Sequence, residues 1–219
     1  MFTGIVQAVL PVVERTPLEG HTRLAVRFPA TMTQDLQVGA SVAIEGVCMT
    51  VTEWREAPGD GGLDVCFDVS PGTARITTMG ERDVGDRVNV ERSMRAGAEN
   101  GGHVVTGHVS GTAEITSMQL DGAERFLEVR IPAEHRRYVF VRGFLALNGA
   151  SLTVASFNEA EGLAWINLIP ETIRQTSLRA YSVGDRMNYE VELQTQITVD
   201  TIERCFRQFL PRLAGAVPG

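Results

Sequence analysis

Two short stretches carry the side chains in this chain best suited to chemistry. Glu45-Gly46-Val47-Cys48-Met49-Thr50-Val51 presents a thiol, and Asn148-Gly149-Ala150-Ser151-Leu152-Thr153-Val154 presents a hydroxyl at the matching place 103 residues later. A cysteine in a strand is either a small hydrophobe or, once ionised, a nucleophile; a serine there is either hydrogen-bonded structure or a hydroxyl activated by a base. Thr153 shares a strand face with Ser151 by the two-residue period. Two of the four histidines, His103 and His108, sit together in GGHVVTGH. Their i, i+5 spacing suits one metal ion on neither helix nor strand, and no cysteine or acidic cluster accompanies them, so no metal is expected. Titrating near neutrality, they are open to acid–base or ring-contacting work. Phe2, just before Gly4-Ile5-Val6, is either a strand-end anchor or an aromatic wall for a flat ligand. His21 and His135 fall outside these blocks and read as surface residues.

The elements that must position these groups repeat. Phe2–Val6 matches Val105–Val109 at an offset of 103, as the two opening stretches do. Asp68–Thr77 then matches Asn167–Thr176, and Val84–Asn89 matches Val183–Asn188, both at 99. The difference of four falls where Glu56–Gly62 is longer and richer in Pro and Gly than Asn158–Gly162. Such a long period makes each copy a domain rather than a stacking unit. Leu24–Phe28, Ser41–Val51, Leu63–Val69 and Arg87–Glu91 read as short strands separated by turn chemistry, including the Gly-Asp at Gly85 and Gly184. Many short strands favour a small closed barrel, which removes exposed edges. Pro71 and Pro170 each open one helical turn. The fold expected is all-β: two tandem barrels, residues 1–97 and 98–195, joined by the flexible AGAENGG linker at 96–102, then a carboxy-terminal helix and tail over 196–219. In that tail Ile202, Cys205, Phe206 and Phe209 recur at helical spacing within Ile197–Leu210 and Pro211 ends the run. The helix packs either on its own second barrel or on the same helix in other subunits.

The totals exclude several classes. Twenty Lys and Arg against 27 Asp and Glu leave a net charge of −7, no footprint for nucleic acid or an anionic membrane. No apolar run approaches the roughly 18 residues of a membrane span. MFTGIVQAVL lacks a basic region before a long apolar core, so no secretory signal is read and a cytoplasmic location is expected. The three cysteines show neither CxxC spacing nor an even count, against a disulfide framework or zinc site. Without a GxGxxG motif, a flavin-dependent reductase is disfavoured.

MFTGIV, GVCMTV, GGHVVTGHV, GASLTV and NLIPETI, in that order between Met1 and about Arg204, resemble the signatures of the riboflavin synthase α-subunit family. The resemblance implies two six-stranded Greek-key barrels, a helix that builds a homotrimer, and active sites joining one subunit's first barrel to a neighbour's second. It implies that two molecules of 6,7-dimethyl-8-ribityllumazine exchange a four-carbon unit, giving riboflavin and 5-amino-6-ribitylamino-uracil. No cofactor is expected, because one lumazine supplies carbon to another. Association with lumazine synthase is a further implied partnership.

The same resemblance assigns residues. Ser151 would contact, or activate water toward, the acceptor ring, with Glu192, His103, His108, Cys48 and Phe2 as further catalytic groups. Backbone at Gly4, Ile5, Val6, Gly107 and Val109 would meet the pteridine edges, beside Gly101 and Gly102. Met49, Thr50, Leu152 and Thr153 would line the pockets with Arg142. Asp68, Val69, Ser70, Pro71, Gly72 and Thr73, with Asn167, Leu168, Ile169, Pro170, Glu171 and Thr172, would bond ring and ribityl groups. Glu192 stands where the family usually has Asp, Arg142 where it has Lys, Glu45 where it has Asn, and Asn148 where it has Asp. Glu45 is thereby expected to put an anion beside the first pocket. These departures leave a second reading open, a non-catalytic lumazine- or flavin-binding protein.

Overall fold

Alternation of apolar and polar residues, broken at regular intervals by turns, produces twelve strands in two closed antiparallel barrels. The computed structural model describes residues 1–59, 61–121 and 124–214. The first barrel comprises β1 (Ala8–Leu18), β2 (His21–Phe28), β3 (Ser41–Ile44), β4 (Val47–Glu56), β5 (Leu63–Val69) and β6 (Arg87–Arg92), closed in the order β1-β2-β5-β4-β3-β6. The second comprises β7 (Gly111–Asp121), β8 (Glu124–Arg130), β9 (Phe144–Leu147), β10 (Ala150–Asn158), β11 (Leu163–Leu168) and β12 (Arg186–Val191), with the same connectivity. Closure requires bent strands, and the bends recur: irregularities at Val12/Glu14 in β1 and Val51/Glu53 in β4 return at Ile115/Ser117 in β7 and Val154/Ser156 in β10. The length difference between copies falls in the connections 57–62 and 159–162. Each barrel has its own core, with Val26, Phe28, Ile44 and Phe67 in the first and Ile115, Leu127, Leu147 and Ile166 in the second. The prolines open α1 (Pro71–Ile76) and α2 (Pro170–Gln175).

The barrels meet at two matching hairpin tips. Ile44 pairs with Val47 and Leu147 with Ala150, leaving the two-residue loops Glu45-Gly46 and Asn148-Gly149. All four loop residues have positive φ (49° and 78°, 44° and 81°), the mirror-image turn that matches strand twist. The tips lie back to back, so a Cβ on Gly46 would stand 2.5 Å from Gly149 N. Around them Asn89 Nδ2 donates to Asn148 O at 2.9 Å and Asn188 Nδ2 to Glu45 O at 2.8 Å, a reciprocal exchange about a pseudo-twofold axis. Asn89 Oδ1 accepts from Ser177 N, and Asn188 Oδ1 from Thr78 N.

Glu45 therefore does not stand beside the first pocket as expected. It is fully buried between the barrels, where Oε1 accepts from Asn89 N at 2.5 Å and Ser177 Oγ at 3.0 Å. Oε2 accepts from Tyr181 OH at 3.0 Å and lies 3.8 Å from Arg82. The hairpin geometry turns this side chain inward across the axis.

His135 is not a simple surface residue either. Its Nδ1 lies 2.7 Å from the hydroxyl of buried Tyr189. The carboxy-terminal helix α3 (Leu193–Ala214) begins earlier than the periodicity placed it and runs past Pro211, since a proline removes only one donor from a helix ladder. The side chains of Phe209 and Pro211 lie outside the described residues. One side of α3 is held to the second barrel: Val199 packs on its core, and Asp200 accepts from Tyr138 OH at 2.6 Å and Arg137 at 3.0 Å. Ile197, Ile202 and Phe206 are 50–59% exposed. Among the described residues no helix is long and apolar enough to cross a membrane.

Candidate functional site

The segments that open the two copies cross over. Phe2 and Val105 form an antiparallel bridge, exchanging N–H···O bonds of 2.7 and 3.0 Å. Beyond it each segment runs onto the other copy's barrel. Gly4 O accepts from Ser151 N at 2.8 Å, and Gly107 O accepts from Cys48 N at 2.9 Å. Val6 joins the second barrel's core, while Val109 packs against the first. Both glycines have positive φ (73° and 80°), and a Cβ on either would fall within 2.6 Å of the Ser151 or Cys48 Cβ. No other residue allows that approach.

Ser151 and His103 form the centre of the second pocket. Ser151 Oγ lies 2.6 Å from His103 Nδ1, within reach for proton transfer. The imidazole is 5% exposed and stacks on Phe144 at 4.9 Å and 9°. Among the described residues its Nε2 has no hydrogen-bond partner, which leaves that ring nitrogen for a ligand. Burial holds the His103 pKa below the usual imidazole value, and the nearby Glu192 charge partly offsets that. A neutral His103 could accept the Ser151 proton through Nδ1, while Glu192 acts on the ring only through its charge and makes no hydrogen bond to it. Glu192 also accepts from Thr195 Oγ1 at 2.5 Å, which fixes it at the foot of α3. Gly102 closes the floor, where a Cβ would come within 2.8 Å of Ser151 Cβ and 2.3 Å of Thr3 O. Gly101, Thr3 and Ile5 border an adjoining cleft of about 800 Å³ that also takes in Met32, Arg92, Met94 and Arg95.

The first pocket repeats the plan with different chemistry. Half-buried Cys48 and exposed Thr50 share a face of β4, as Ser151 and Thr153 share one of β10. Exposed His108 follows Gly107, which caps Cys48, whereas His103 bonds Ser151, so the two histidines lie on segments that serve different barrels.

Several expected contacts are placed elsewhere. Phe2 is fully buried with Val105, Ala43 and Ala146, against Cys48, and packs rather than presenting a free ring. Met49, Val69, Leu152 and Leu168 point into the barrel cores, because alternation turns every second strand residue inward. The backbone N–H groups of Gly4, Ile5, Gly107 and His108 are already bonded within the chain, to Glu91, Thr3, Glu190 and Thr106. Asp68 is held by both Arg23 nitrogens at 2.8 and 3.2 Å, and that hydrogen bonding holds its carboxyl below the ordinary range. Ser70 Oγ caps α1 by accepting from Thr73 N at 3.1 Å, with Pro71 and Gly72 in the first turn. Glu171 pairs with Arg174, at the start of α2 behind Pro170 and partly buried Thr172. Asn167 and Ile169 are exposed at the same rim.

Arg142 is exposed on the turn before β9, with φ at 69° where the first copy has Gly39 at 89°. A non-glycine residue held there is the kind of strain that accompanies function. Sequence reasoning missed Phe144, the first residue of β9. It also missed Glu91 and Glu190, which extend the 99-offset block by two residues.

A family model for the lumazine binding domain matches residues 3–93 and 106–192. Riboflavin synthase of Escherichia coli (strain K12) is 38% identical over 205 residues, covering 93% of this chain and 92% of that protein. Riboflavin synthase of Chlamydia pneumoniae is 36% identical, covering 93% and 96%, and that of Bacillus subtilis (strain 168) 31% identical, covering 88% and 86%. Among solved structures, LumP complexed with riboflavin matches at 22% identity with a TM-score of 0.77, over 88% of this chain and all of that one, which is a likeness of fold. With two lumazine-binding domains in tandem and curated relatives matched along nearly their whole length, the chain belongs to the riboflavin synthase family.

Proposed function

We propose that this chain converts two molecules of 6,7-dimethyl-8-ribityllumazine into riboflavin and 5-amino-6-ribitylamino-uracil, each barrel holding one lumazine. The observation that carries the reading is the 2.6 Å contact between Ser151 Oγ and the neutral, buried His103. His103 takes the proton as Ser151, or a water it orders, adds to ring C7 of one lumazine. His108, beside Cys48, serves the acidic 7-methyl group of the other. Glu192 keeps His103 basic, Phe144 and Thr153 wall the second pocket, and Thr50 walls the first. Arg142 and the Asn167–Thr172 rim meet the ribityl chain. Holding two rings in register contributes a large part of the rate, since positioning alone lowers barriers by about 7–11 kcal/mol. The reaction needs no external oxidant or cofactor.

The chain divides functionally near residue 97, and the exposed face of α3 builds a homotrimer that brings one subunit's first pocket to a neighbour's second. A cytoplasmic location and association with lumazine synthase complete the proposal. The test is incubation of purified protein with the lumazine while riboflavin absorbance is followed. Riboflavin formation is expected; a tightly held yellow ligand without riboflavin would make the chain a binding protein. Ser151→Ala should lower kcat by about 100-fold or more, the scale of a lost acid–base step, with the oligomer intact.

A further inference from the structure

The two pockets are held together by a pair of buried carboxylates outside the set assigned so far. Glu91 on β6 is 4% exposed and Glu190 on β12 is 5% exposed. Glu91 Oε1 accepts from Thr3 N at 2.6 Å and Thr3 Oγ1 at 2.7 Å, and Oε2 from Gly4 N at 3.0 Å. Glu190 repeats this on Thr106 N and Oγ1, both 2.8 Å, and on Gly107 N at 2.9 Å. Each carboxylate thus fixes a Thr-Gly corner with three bonds to a charged acceptor, the stronger class of hydrogen bond.

Those corners lie on the opposite barrel's reactive residue. Gly4 O accepts from Ser151 N, and Gly107 O from Cys48 N. The strand register explains the reach. Glu91 pairs with Ala43, which pairs with Cys48; Glu190 pairs with Ala146, which pairs with Ser151. On each rung a carboxylate and a reactive side chain flank an alanine, small enough for the crossing segment to lie over it. Glu91 therefore sits on the rung of Cys48 but fixes the corner over Ser151, and Glu190 does the reverse.

We propose that Glu91 and Glu190 are reciprocal positioning residues, each setting the geometry of the pocket on the other barrel. The inference rests on reading the two barrels as lumazine pockets, but its physical content is the crossed control of two strand positions. A purely local role would couple each carboxylate to its own barrel.

The experiment measures hydrogen exchange at the Ser151 and Cys48 amides in Glu91→Gln and Glu190→Gln, using the full chain. A glutamine keeps its carbonyl for the threonine N–H and hydroxyl but turns an amide donor onto the glycine N–H, which breaks that bond and loosens the corner. Glu91→Gln should speed exchange at Ser151, and Glu190→Gln at Cys48, each by about tenfold and without the other changing. In a Cys205→Ser background, iodoacetamide should alkylate Cys48 faster in Glu190→Gln, while Cys66, 2% exposed in the first barrel, stays protected and reports intact packing. Thr106→Val should repeat part of that gain and Thr106→Ser should not. With lumazine, Glu91→Gln should lower kcat more than it raises KM. Faster Cys48 exchange in Glu91→Gln rather than Glu190→Gln, equal change at both positions, or no change at either overturns the proposal. The exchange and alkylation arms need no turnover, so failure of the synthase reading would leave them to be judged alone.

Discussion

At the residue scale, the Ser151–His103 contact requires His103 to be unprotonated when the reaction begins. Burial lowers its pKa and Glu192 works against that, so the present value is the balance of the two. Acidification then removes activity as His103 takes up a proton. Replacing Glu192 by Gln removes the negative charge that raises the pKa, so the acid limb of the kcat/KM profile should move to lower pH. The check is the pH dependence of riboflavin formation for both proteins. A limb that stays in place, or moves upward, would remove Glu192 from the imidazole's surroundings. His103→Gln should abolish the limb and lower kcat by about 100-fold or more.

Among the elements, α3 has two unlike sides. Asp200 and Glu203 bond Arg137 and Tyr138, while Ile197, Ile202 and Phe206 lie open. Its own barrel therefore takes one side, as the inward reading expected, and leaves the other side open for the proposed packing on other copies. If the proposed trimer forms through this face, Ile202→Glu combined with Phe206→Glu should turn it into monomers in light scattering, with an unchanged circular dichroism spectrum. A trimer that survives both charges would place the interface elsewhere. Apart from Ser41–Val51, read as one strand but folded as a hairpin that turns at Glu45-Gly46, the strands read were legible in the sequence, because alternation and the Gly-Asp turns are local signals. So were Cys48 and Ser151, marked by the repeat. The crossing of Phe2–Val6 and Val105–Val109 onto exchanged barrels was not, because an internal repeat says which segments are equivalent and nothing about which copy each one touches. Glu45 was misplaced for a related reason: a residue in a hairpin tip shows its backbone demand in sequence, but not what the tip packs against.

For the whole molecule, the pseudo-twofold is broken between the barrels at Glu45, a buried ionisable group. Asn148 Oδ1 accepts from Asn188 N, but Glu45 offers a carboxylate at the equivalent place, facing Tyr181, Ser177 and, at 3.8 Å, Arg82. Burial raises its pKa above the ordinary 4.5, with Arg82 and the hydrogen bonds only partly compensating. A carboxyl whose pKa is higher folded than unfolded binds more protons in the folded state, so it lowers stability as pH rises from the unfolded pKa through the folded one. Glu14 and Asp68, whose pKa values are lowered by hydrogen bonds from Arg55 and Arg23, act in the opposite sense and favour the fold as pH rises. The contribution of Glu45 is therefore read as a difference between two proteins. Glu45→Gln can still accept from Asn89 and Ser177 through its carbonyl and donate to the Tyr181 oxygen, while losing its charge. Relative to the parent, its stability to urea should improve as pH rises above the unfolded carboxyl pKa and level off above the folded one, by about 1.4 kcal/mol for each pH unit between the two. Parallel pH profiles would mean that Arg82 neutralises the carboxylate fully, and that the joint between the barrels is an ion pair rather than a titrating group.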